Sequence, residues 1–188
     1  MALFNSTRVY LNTKSSRGSK ETSIYRVPVP QVNESFFFNQ DAVKVIVYDY
    51  TNHAISYKES SIASIHLTNK RLILLSQSTS IASTKPNHFD TCEFQLSEFQ
   101  SLKTHMIQKK GLRFDIKTLQ GLDIRIDITF LNKKDAHRRE SLKEYVKMAT
   151  SAILARGRSS AIPTYTHDDL PSYLEATTNS SVAPPAYS

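Results

Sequence analysis

Residues 112–130 read Leu-Arg-Phe-Asp-Ile-Lys-Thr-Leu-Gln-Gly-Leu-Asp-Ile-Arg-Ile-Asp-Ile-Thr-Phe, and this stretch decides the fold. Apolar and polar residues alternate on both sides of a break at residues 119–121, which is the period of a strand with one buried face. Gly121 ends the break, where a three-residue hairpin loop needs a left-handed residue. The stretch therefore predicts a β-hairpin with arms at residues 112–118 and 122–130.

The side chains of this hairpin also predict its register. With the loop at residues 119–121, three outward pairs have opposite charge: Lys117 with Asp123, Asp115 with Arg125, and Arg113 with Asp127. Three inward pairs are apolar: Ile116 with Ile124, Phe114 with Ile126, and Leu112 with Ile128. A slip of one residue would set charged side chains against apolar ones, so one register is favoured.

Further strands are expected upstream, because the period of two extends from residue 34 to residue 130. Residues 42–50 are β-branched and aromatic, and residues 62–67 and 72–76 flank Asn69-Lys70. Asn tolerates a positive φ, so a two-residue turn is predicted there. This turn would set Leu67 opposite Leu72 and Ile65 opposite Leu74 on one apolar face.

After Asn132 the period changes to 3.6, which is typical of an amphipathic helix. An apolar stripe recurs at helical spacing: Ala136, Leu142, Tyr145, Val146, Ala149, Ala152 and Ile153. We predict a helix over residues 133–155, with Asn132 as N-cap and Gly157 as terminator. Antiparallel strands followed by one such helix outline a mostly β fold, a bent pleckstrin-homology-type barrel capped by the helix.

Composition divides the chain into three parts. Residues 1–30 are polar and basic, contain Pro28 and Pro30, and are expected to be poorly ordered. Residues 31–156 are expected to form the barrel domain. Residues 157–188 are rich in Ser, Thr, Ala and Pro, and we expect a disordered, accessible tail.

The tail ends in Pro184-Pro185-Ala186-Tyr187-Ser188. Pro-Pro-x-Tyr is the motif that WW domains bind, since the prolines favour polyproline II and dock in an aromatic-lined groove. A related sequence, Leu170-Pro171-Ser172-Tyr173, is a weaker candidate. The predicted binding residues are Pro184, Pro185 and Tyr187, with Leu170, Pro171 and Tyr173 as a second site.

The segment Ile65-His-Leu-Thr-Asn-Lys-Arg-Leu-Ile-Leu-Leu-Ser76 is similar to the strand–turn–strand signature of GRAM domains. Asn33-Glu34-Ser35 resembles the entry to that domain in the WW-domain-binding protein 2 family. This family has a GRAM domain, which is PH-like, followed by a tail with Pro-Pro-x-Tyr motifs. The chain departs from this family at Ala63, where the family usually has Gly. Its tail is also short, so the resemblance is to a short-tailed member of the family.

The resemblance implies a non-enzymatic adaptor that binds WW-domain proteins. HECT-type ubiquitin ligases are the expected partners. A transcription coactivator associated with chromatin is an alternative that the family suggests, and a phosphoinositide-binding module is another. For the last, the candidate phosphate contacts are Lys70, Arg71, Lys109 and Lys110 at expected turns.

Several other classes are not expected. The six histidines are scattered and Cys92 is the one cysteine, so no metal, cofactor or catalytic residue is predicted. The net charge of +7 attracts phosphates, but no signature of sequence-specific nucleic-acid binding appears. No signal peptide or apolar run of membrane length is present, so a soluble protein of the cytoplasm or nucleus is expected.

Overall fold

The structure, a computed structural model, describes residues 3–15, 22–51, 55–77, 86–107 and 110–159 of the 188-residue chain. Within these residues lie ten strands: β1 Leu3–Phe4, β2 Val9–Ser15, β3 Thr22–Pro28, β4 Phe36–Asp49, β5 Ser56–Thr68, β6 Arg71–Ser76, β7 Thr91–Gln95, β8 Phe99–Ile107, β9 Gly111–Thr118 and β10 Asp123–Phe130. A 3-10 turn, Leu96–Glu98, separates β7 from β8, and another, Lys133–Asp135, precedes the helix α1, Arg138–Ser159.

Eight strands form one antiparallel sheet in the order β1-β7-β6-β5-β4-β10-β9-β8, while β2 and β3 pair with each other. Strand β4 pairs with both β5 and β10, so it joins the half made of β4–β7 to the half made of β8–β10. Helix α1 packs against strands of both halves, β4 and β5 on one side and β8 and β9 on the other. The seven strands β4 to β10, paired in this order and followed by a helix, make a PH-like fold, which confirms the predicted class.

Strand β4 bends at Ala42, and this bend allows β4 to pair with strands of both halves. The backbone of this residue is left-handed, with a φ of 55°. The pairing of β4 with β5 shifts register on both sides of Val43. Bulges of this kind increase the local twist and bend a strand. Leu131 N donates to the Ala42 carbonyl at 3.0 Å, which attaches the end of β10 to the bend.

The core lies between the two halves and under α1. Phe114, Phe130, Ile65 and Leu72 are among its largest fully buried side chains. The helix adds Leu142, Val146 and Ala149, all from the predicted stripe. Each fully buried Leu or Val side chain contributes about 1.5–3 kcal/mol.

The hairpin of β9 and β10 has the predicted register at every pair. Ile124 faces Ile116, and Asp127 faces Arg113. Gly121 has a φ of 80°, as the three-residue loop requires. Charged contacts join two of the three outward pairs, Arg113 to Asp127 at 2.7 Å and Arg125 to Asp115 at 3.1 Å.

The β5–β6 hairpin also has its predicted turn and register, with Leu67 opposite Leu72 and Ile65 opposite Leu74. The predicted reason for the turn is wrong, because the left-handed residue in this region is Asn33 rather than Asn69. Asn69 accepts a hydrogen bond from Ser35 N through Oδ1 at 2.9 Å and donates through Nδ2 to the Asn33 carbonyl at 3.0 Å. The turn is therefore held by the segment that leads into β4.

The helix differs from its prediction at both ends. Residues 133–135 form a 3-10 turn, and α1 begins only at Arg138. Asn132 makes no capping bond to the backbone; its Nδ2 donates to Asp135 Oδ2 at 3.1 Å instead. The helix continues through Gly157 to Ser159, since one glycine in a helix costs only about 1 kcal/mol relative to Ala.

The expectation of poor order in residues 1–30 is wrong for the described part of that segment. Strand β1 pairs with β7, and β2 pairs with β3 from Val9 opposite Pro28 to Ser15 opposite Thr22. Arg26 attaches this hairpin to the barrel by a bidentate ion pair with Asp90 and by mutual hydrogen bonds with Gln77. Pro28 is the last residue of its strand, where the missing N–H is tolerated.

Candidate functional site

The residues predicted to bind WW domains lie outside the described part of the chain. They are Pro184, Pro185 and Tyr187, with Leu170, Pro171 and Tyr173. The structure describes the platform that precedes them, up to Ser159 at the end of α1.

Arg71 is not available for phosphate or lipid, which corrects its prediction as a contact residue. Its side chain is 5% exposed and lies between two carboxylates. It donates to both Glu34 oxygens at 2.8 and 3.0 Å, to Glu93 Oε2 at 2.6 Å and to the Val29 carbonyl at 2.9 Å. Thr7 Oγ1 also donates to Glu93 Oε2, at 2.9 Å.

The charges of this buried cluster stabilise one another. Burial opposes ionisation of Glu34, but hydrogen bonds from Arg71 and from the Gln31 backbone outweigh it, and the pKa of Glu34 falls below its usual value. Burial likewise disfavours the charged form of Arg71, while Glu34 and Glu93 more than offset it and raise the pKa of Arg71. The cluster ties Val29 and Thr7 of the N-terminal segment to β6 and β7.

Of the other basic candidates, the two described ones, Lys70 and Lys110, lie in separate turns. Lys70 is half-buried in the β5–β6 turn, and its Nζ donates to the Val32 carbonyl. Lys110 lies before β9, where its carbonyl accepts from Phe130 N at 3.0 Å. Lys109 lies outside the described residues. In the described part of the chain, no recorded contact links Lys70 with Lys110.

A cleft of about 370 Å³ lies between the β2–β3 hairpin and the outer face of β4 and β5. Aromatic and proline side chains dominate its wall: Tyr10, Tyr25, Pro28, Pro30, Phe36 and His66. Tyr10 is 46% exposed, and the Phe36 ring meets the His66 ring edge-on at 6.3 Å between centroids. A wall of this composition suits an apolar or proline-rich segment.

His66 forms the polar base of this cleft. Its Nε2 lies 2.9 Å from Ser64 Oγ and its Nδ1 lies 2.8 Å from Asn39 Oδ1. Burial lowers the pKa of His66 from 6.5 to about 4, because the charged imidazolium would lose its hydration. The imidazole is therefore neutral at pH 7 and serves as a hydrogen-bonding part of the wall.

A second concave surface, the β8–α1 groove, has a volume of about 200 Å³. Its lining is Phe99, Ser101 and Leu102 from β8 with Lys147, Thr150 and Ser151 from α1. Strand β8 is last in the sheet order, so its outer edge has no neighbouring strand among the described residues. Such an edge presents unpaired backbone N–H and C=O groups.

Neither surface is predicted by the local sequence pattern alone. The cleft depends on β2 and β3, and a usable signal was present in Val9-Tyr10-Leu11 and Ile24-Tyr25, which are rich in strand-forming residues. The β8–α1 groove depends on how α1 crosses the barrel, and no local pattern encodes that crossing.

Metal-ligating side chains and the thiol of Cys92 are the remaining groups to place. The described ranges contain no group of three or more His, Cys, Asp or Glu side chains that could hold a metal ion. Cys92 is fully buried, and burial raises the pKa of its thiol well above the usual value. No helix in this part of the chain is both long and apolar enough to cross a membrane.

A scan against models of known families and a search of curated proteins both find no match. Solved structures that align with the chain include the PDZ-RhoGEF DH/PH domains in complex with GTP-γ-S-activated RhoA, at 8% identity and a TM-score of 0.40, covering 64% of this chain and 30% of that one. Another is the DH/PH domain of human ARHGEF11 with human RhoA and its inhibitor, at 9% identity and a TM-score of 0.35, covering 63% and 30%. The matched region is thus less than a third of those chains, and the PH-like fold rests on the strand order above.

Proposed function

We propose that this protein is a non-enzymatic adaptor whose PH-like domain presents a WW-binding tail. The observation that carries the proposal is the order of parts. A barrel closed by α1 ends at Ser159, and the chain then runs to a Pro-Pro-x-Tyr sequence at residues 184–187. The resemblance of residues 65–76 to the GRAM signature supports the same reading.

The length of the tail suits this role. Twenty-five residue steps separate Ser159 from Pro184, and a fully extended chain of that length spans at most about 90 Å. A WW domain could therefore bind residues 184–187 without contacting the barrel. The barrel would remain accessible to bring a second molecule to the complex.

The partners we propose are WW domains of HECT-type ubiquitin ligases, which would make this protein an adaptor or a substrate. One motif offers few contacts, so a single site should bind in the micromolar range, about −8 kcal/mol. WW domains in tandem would also engage residues 170–173, and the second contact would form at high effective concentration.

The direct test is titration of the full chain with an isolated WW domain. Tyr187→Ala should weaken binding at least tenfold, because it removes the side chain that fills the second pocket of the WW groove. Tyr165→Ala is the matched control, since it removes another tail tyrosine that also follows a proline by two positions. Equal affinity of wild type and Tyr187→Ala would overturn the proposal.

A tandem WW protein tests the second site. Tyr173→Ala should reduce its affinity by a few-fold and leave binding of a single WW domain unchanged. An unchanged tandem affinity would show that residues 170–173 take no part.

A further inference from the structure

The aromatic cleft between the β2–β3 hairpin and strands β4 and β5 has a negative charge in its wall. Asp41 is the one carboxylate among the described lining residues, and none of them is Lys or Arg, although the whole chain has a net charge of +7. Asp41 is exposed and takes part in no ion pair between described residues. Burial keeps the pKa of His66 at about 4, so this imidazole adds no positive charge at pH 7. The cleft therefore favours a cation.

Three aromatic rings reinforce that preference. Tyr10 and Asn12 lie two residues apart on β2, and Asn12 faces Tyr25 on β3, so both tyrosine side chains project from one face of the hairpin. Phe36 of β4 lines the same cleft. Within the described residues, none of these three rings has a Lys or Arg of the chain over its face. The face of an aromatic ring attracts an ammonium group, and several rings around one site attract it more strongly.

Asn39 adds a directed hydrogen-bond donor to the cleft. Gln77 Nε2 donates to Ser64 Oγ at 2.6 Å, so the Ser64 hydroxyl donates in turn to His66 Nε2 at 2.9 Å. His66 Nδ1 then carries the ring proton and donates to Asn39 Oδ1 at 2.8 Å. This bond orients the Asn39 amide, whose Nδ2 has no acceptor among the described residues. Nδ2 can therefore donate to a backbone carbonyl of a bound peptide.

The shape and chemistry of the cleft favour a lysine side chain over other organic cations. The cleft volume of about 370 Å³ lies near the lower end of the range for small-ligand sites, about 300–1,000 Å³. Val27, Pro28 and Pro30 form an apolar part of the wall, which suits the four-carbon stem of a lysine. A choline headgroup would bring a phosphate beside its ammonium, and the described lining offers no Lys or Arg to pair with it.

Methylation of the lysine nitrogen would improve the fit. An unmodified ammonium is compact and strongly hydrated, so it loses much hydration on entering a site with aromatic walls. Methyl groups replace its N–H donors, keep the charge and add apolar surface for the rings to contact. Aromatic cages recognise quaternary ammonium groups for this reason.

We propose that the aromatic cleft binds the methylated lysine side chain of a partner peptide. The ammonium group lies among the rings of Tyr10, Tyr25 and Phe36. Asp41 is its counterion, and Asn39 Nδ2 donates to the peptide backbone. The site does not depend on residues 184–187, although in the proposed adaptor it would be the means by which the domain selects the second molecule.

Calorimetric titration of the full chain with one short peptide in three forms tests the site. The peptide is acetylated and amidated Gly-Ala-Lys-Ala-Gly, either trimethylated at the lysine nitrogen, unmodified, or with carbon in place of the trimethylated nitrogen. The trimethylated form should bind at least tenfold more tightly than the neutral form of the same shape, and several-fold more tightly than the unmodified one. Equal affinity of the charged and neutral forms would overturn the proposal, as would no binding of the trimethylated form at millimolar concentration.

A pair of tyrosine variants tests the position of the site. Tyr10→Ala should weaken binding of the trimethylated peptide several-fold, because it removes one ring from the cleft. Tyr57→Ala is the matched control, since Tyr57 does not line this cleft and is 44% exposed, close to the 46% of Tyr10. Thermal unfolding checks that both variants are folded. An equal loss of affinity in both, or no loss in Tyr10→Ala, would place the peptide elsewhere and overturn the proposal.

A change of charge without a change of shape tests the counterion. Asp41→Asn should weaken binding of the trimethylated peptide several-fold at low salt, and the difference from wild type should shrink as salt is added. Asp123→Asn makes the same change at the start of β10, beside the C-terminal end of β4, and should bind as wild type. Equal affinity of Asp41→Asn and wild type at low salt would overturn the choice of a cation.

Competition experiments separate this occupant from two others. A peptide of residues 180–188 contains Pro184 and Pro185 but no lysine, and phosphatidylcholine vesicles offer the same quaternary ammonium beside a phosphate. Neither should displace the trimethylated peptide at matched concentration. Displacement by the proline-containing peptide would assign the cleft to the tail of this chain, and displacement by the vesicles would assign it to a membrane; either result would overturn the proposal. Failure of the full chain to bind WW domains would remove the proposed function and leave these titrations unaffected.

Discussion

Arg71 and Arg113 carry the same guanidinium group and both form hydrogen-bonded pairs with carboxylates, but they differ in exposure. The Arg71 side chain is 5% exposed and lies between Glu34 and Glu93, whereas the Arg113 side chain is 30% exposed and faces Asp127 across a hairpin. A buried charge depends on its partners because water cannot replace them, while an exposed pair gains little over hydration. Although the two arginines have the same side chain, mutation of Arg71 should therefore lower the stability of the protein much more than mutation of Arg113.

The largest effect is expected for Arg71→Met, which leaves two carboxylates together in a buried site without their cation. The free energy of unfolding should fall by about 3–5 kcal/mol. Arg113→Met is the matched control and should cost no more than about 1 kcal/mol. Denaturant unfolding of both variants measures the difference, and similar losses would contradict the contrast in burial.

A buried imidazole extends the comparison to pH. The folded pKa of His66 is about 4, against 6.5 for an exposed histidine. Between these values the unfolded chain binds a proton that the folded protein does not, so stability falls as the pH drops from 6.5 to 4. The loss due to this residue should reach about 3 kcal/mol.

His66→Gln should be less stable than wild type at pH 7 and should lose less stability on acidification to pH 4. Glu34 contributes at lower pH, because its depressed pKa gives stability above about 4.5 that is lost below it. Urea unfolding at intervals of half a pH unit distinguishes the two groups. If the free energy of unfolding depended on pH in the same way in His66→Gln and in wild type between pH 6.5 and 4.5, the loss of stability could not be due to His66.

The turn of the exposed hairpin should show an intermediate effect. Gly121 has a φ of 80°, and a Cβ at this position would meet no atom within 4 Å. Gly121→Ala therefore costs only the strain of a left-handed backbone, about 1 kcal/mol. Thermal unfolding measures this loss of stability. A loss above about 3 kcal/mol would contradict the expectation that a side chain at residue 121 meets no neighbouring atoms.

The smallest effect is expected for the pair across the hairpin. A double-mutant cycle with Arg113→Ala and Asp127→Ala should give a coupling of about 0.2–1 kcal/mol, decreasing as salt is added. A coupling above about 2 kcal/mol would show that the Arg113–Asp127 pair is as strong as a buried ion pair, and would contradict the difference expected between Arg113 and Arg71.

The two arginines also show what sequence can and cannot predict. The β9–β10 register was predictable because its determinants are local: alternating residues, complementary charges and Gly121 lie within residues 112–130. Arg71 was wrongly placed among the exposed basic residues because its partners are 37 and 22 residues away in sequence. At the level of sequence, a basic residue next to a turn has the same appearance whether it is solvated or enclosed.

The candidate surfaces follow the same rule. The motif at residues 184–187 can be found in sequence because four consecutive residues define it. The aromatic cleft and the β8–α1 groove each combine elements distant in the chain, so their existence depends on packing that local patterns do not contain. The strands of residues 1–30 occupy an intermediate position: their residue types favour strands, but Arg26 holds them in place through Asp90 and Gln77.

The double pairing of β4 has a consequence for the order of events during synthesis. Its partner β5 follows directly, but Val43 pairs with Phe130 and Asp49 with Ile124, about eighty residues later. At 5–20 residues per second, the second edge of β4 waits roughly 4–16 s for β10 to be made. Until then the half-barrel has an open, apolar edge, and the nascent chain should depend most on chaperones during this interval.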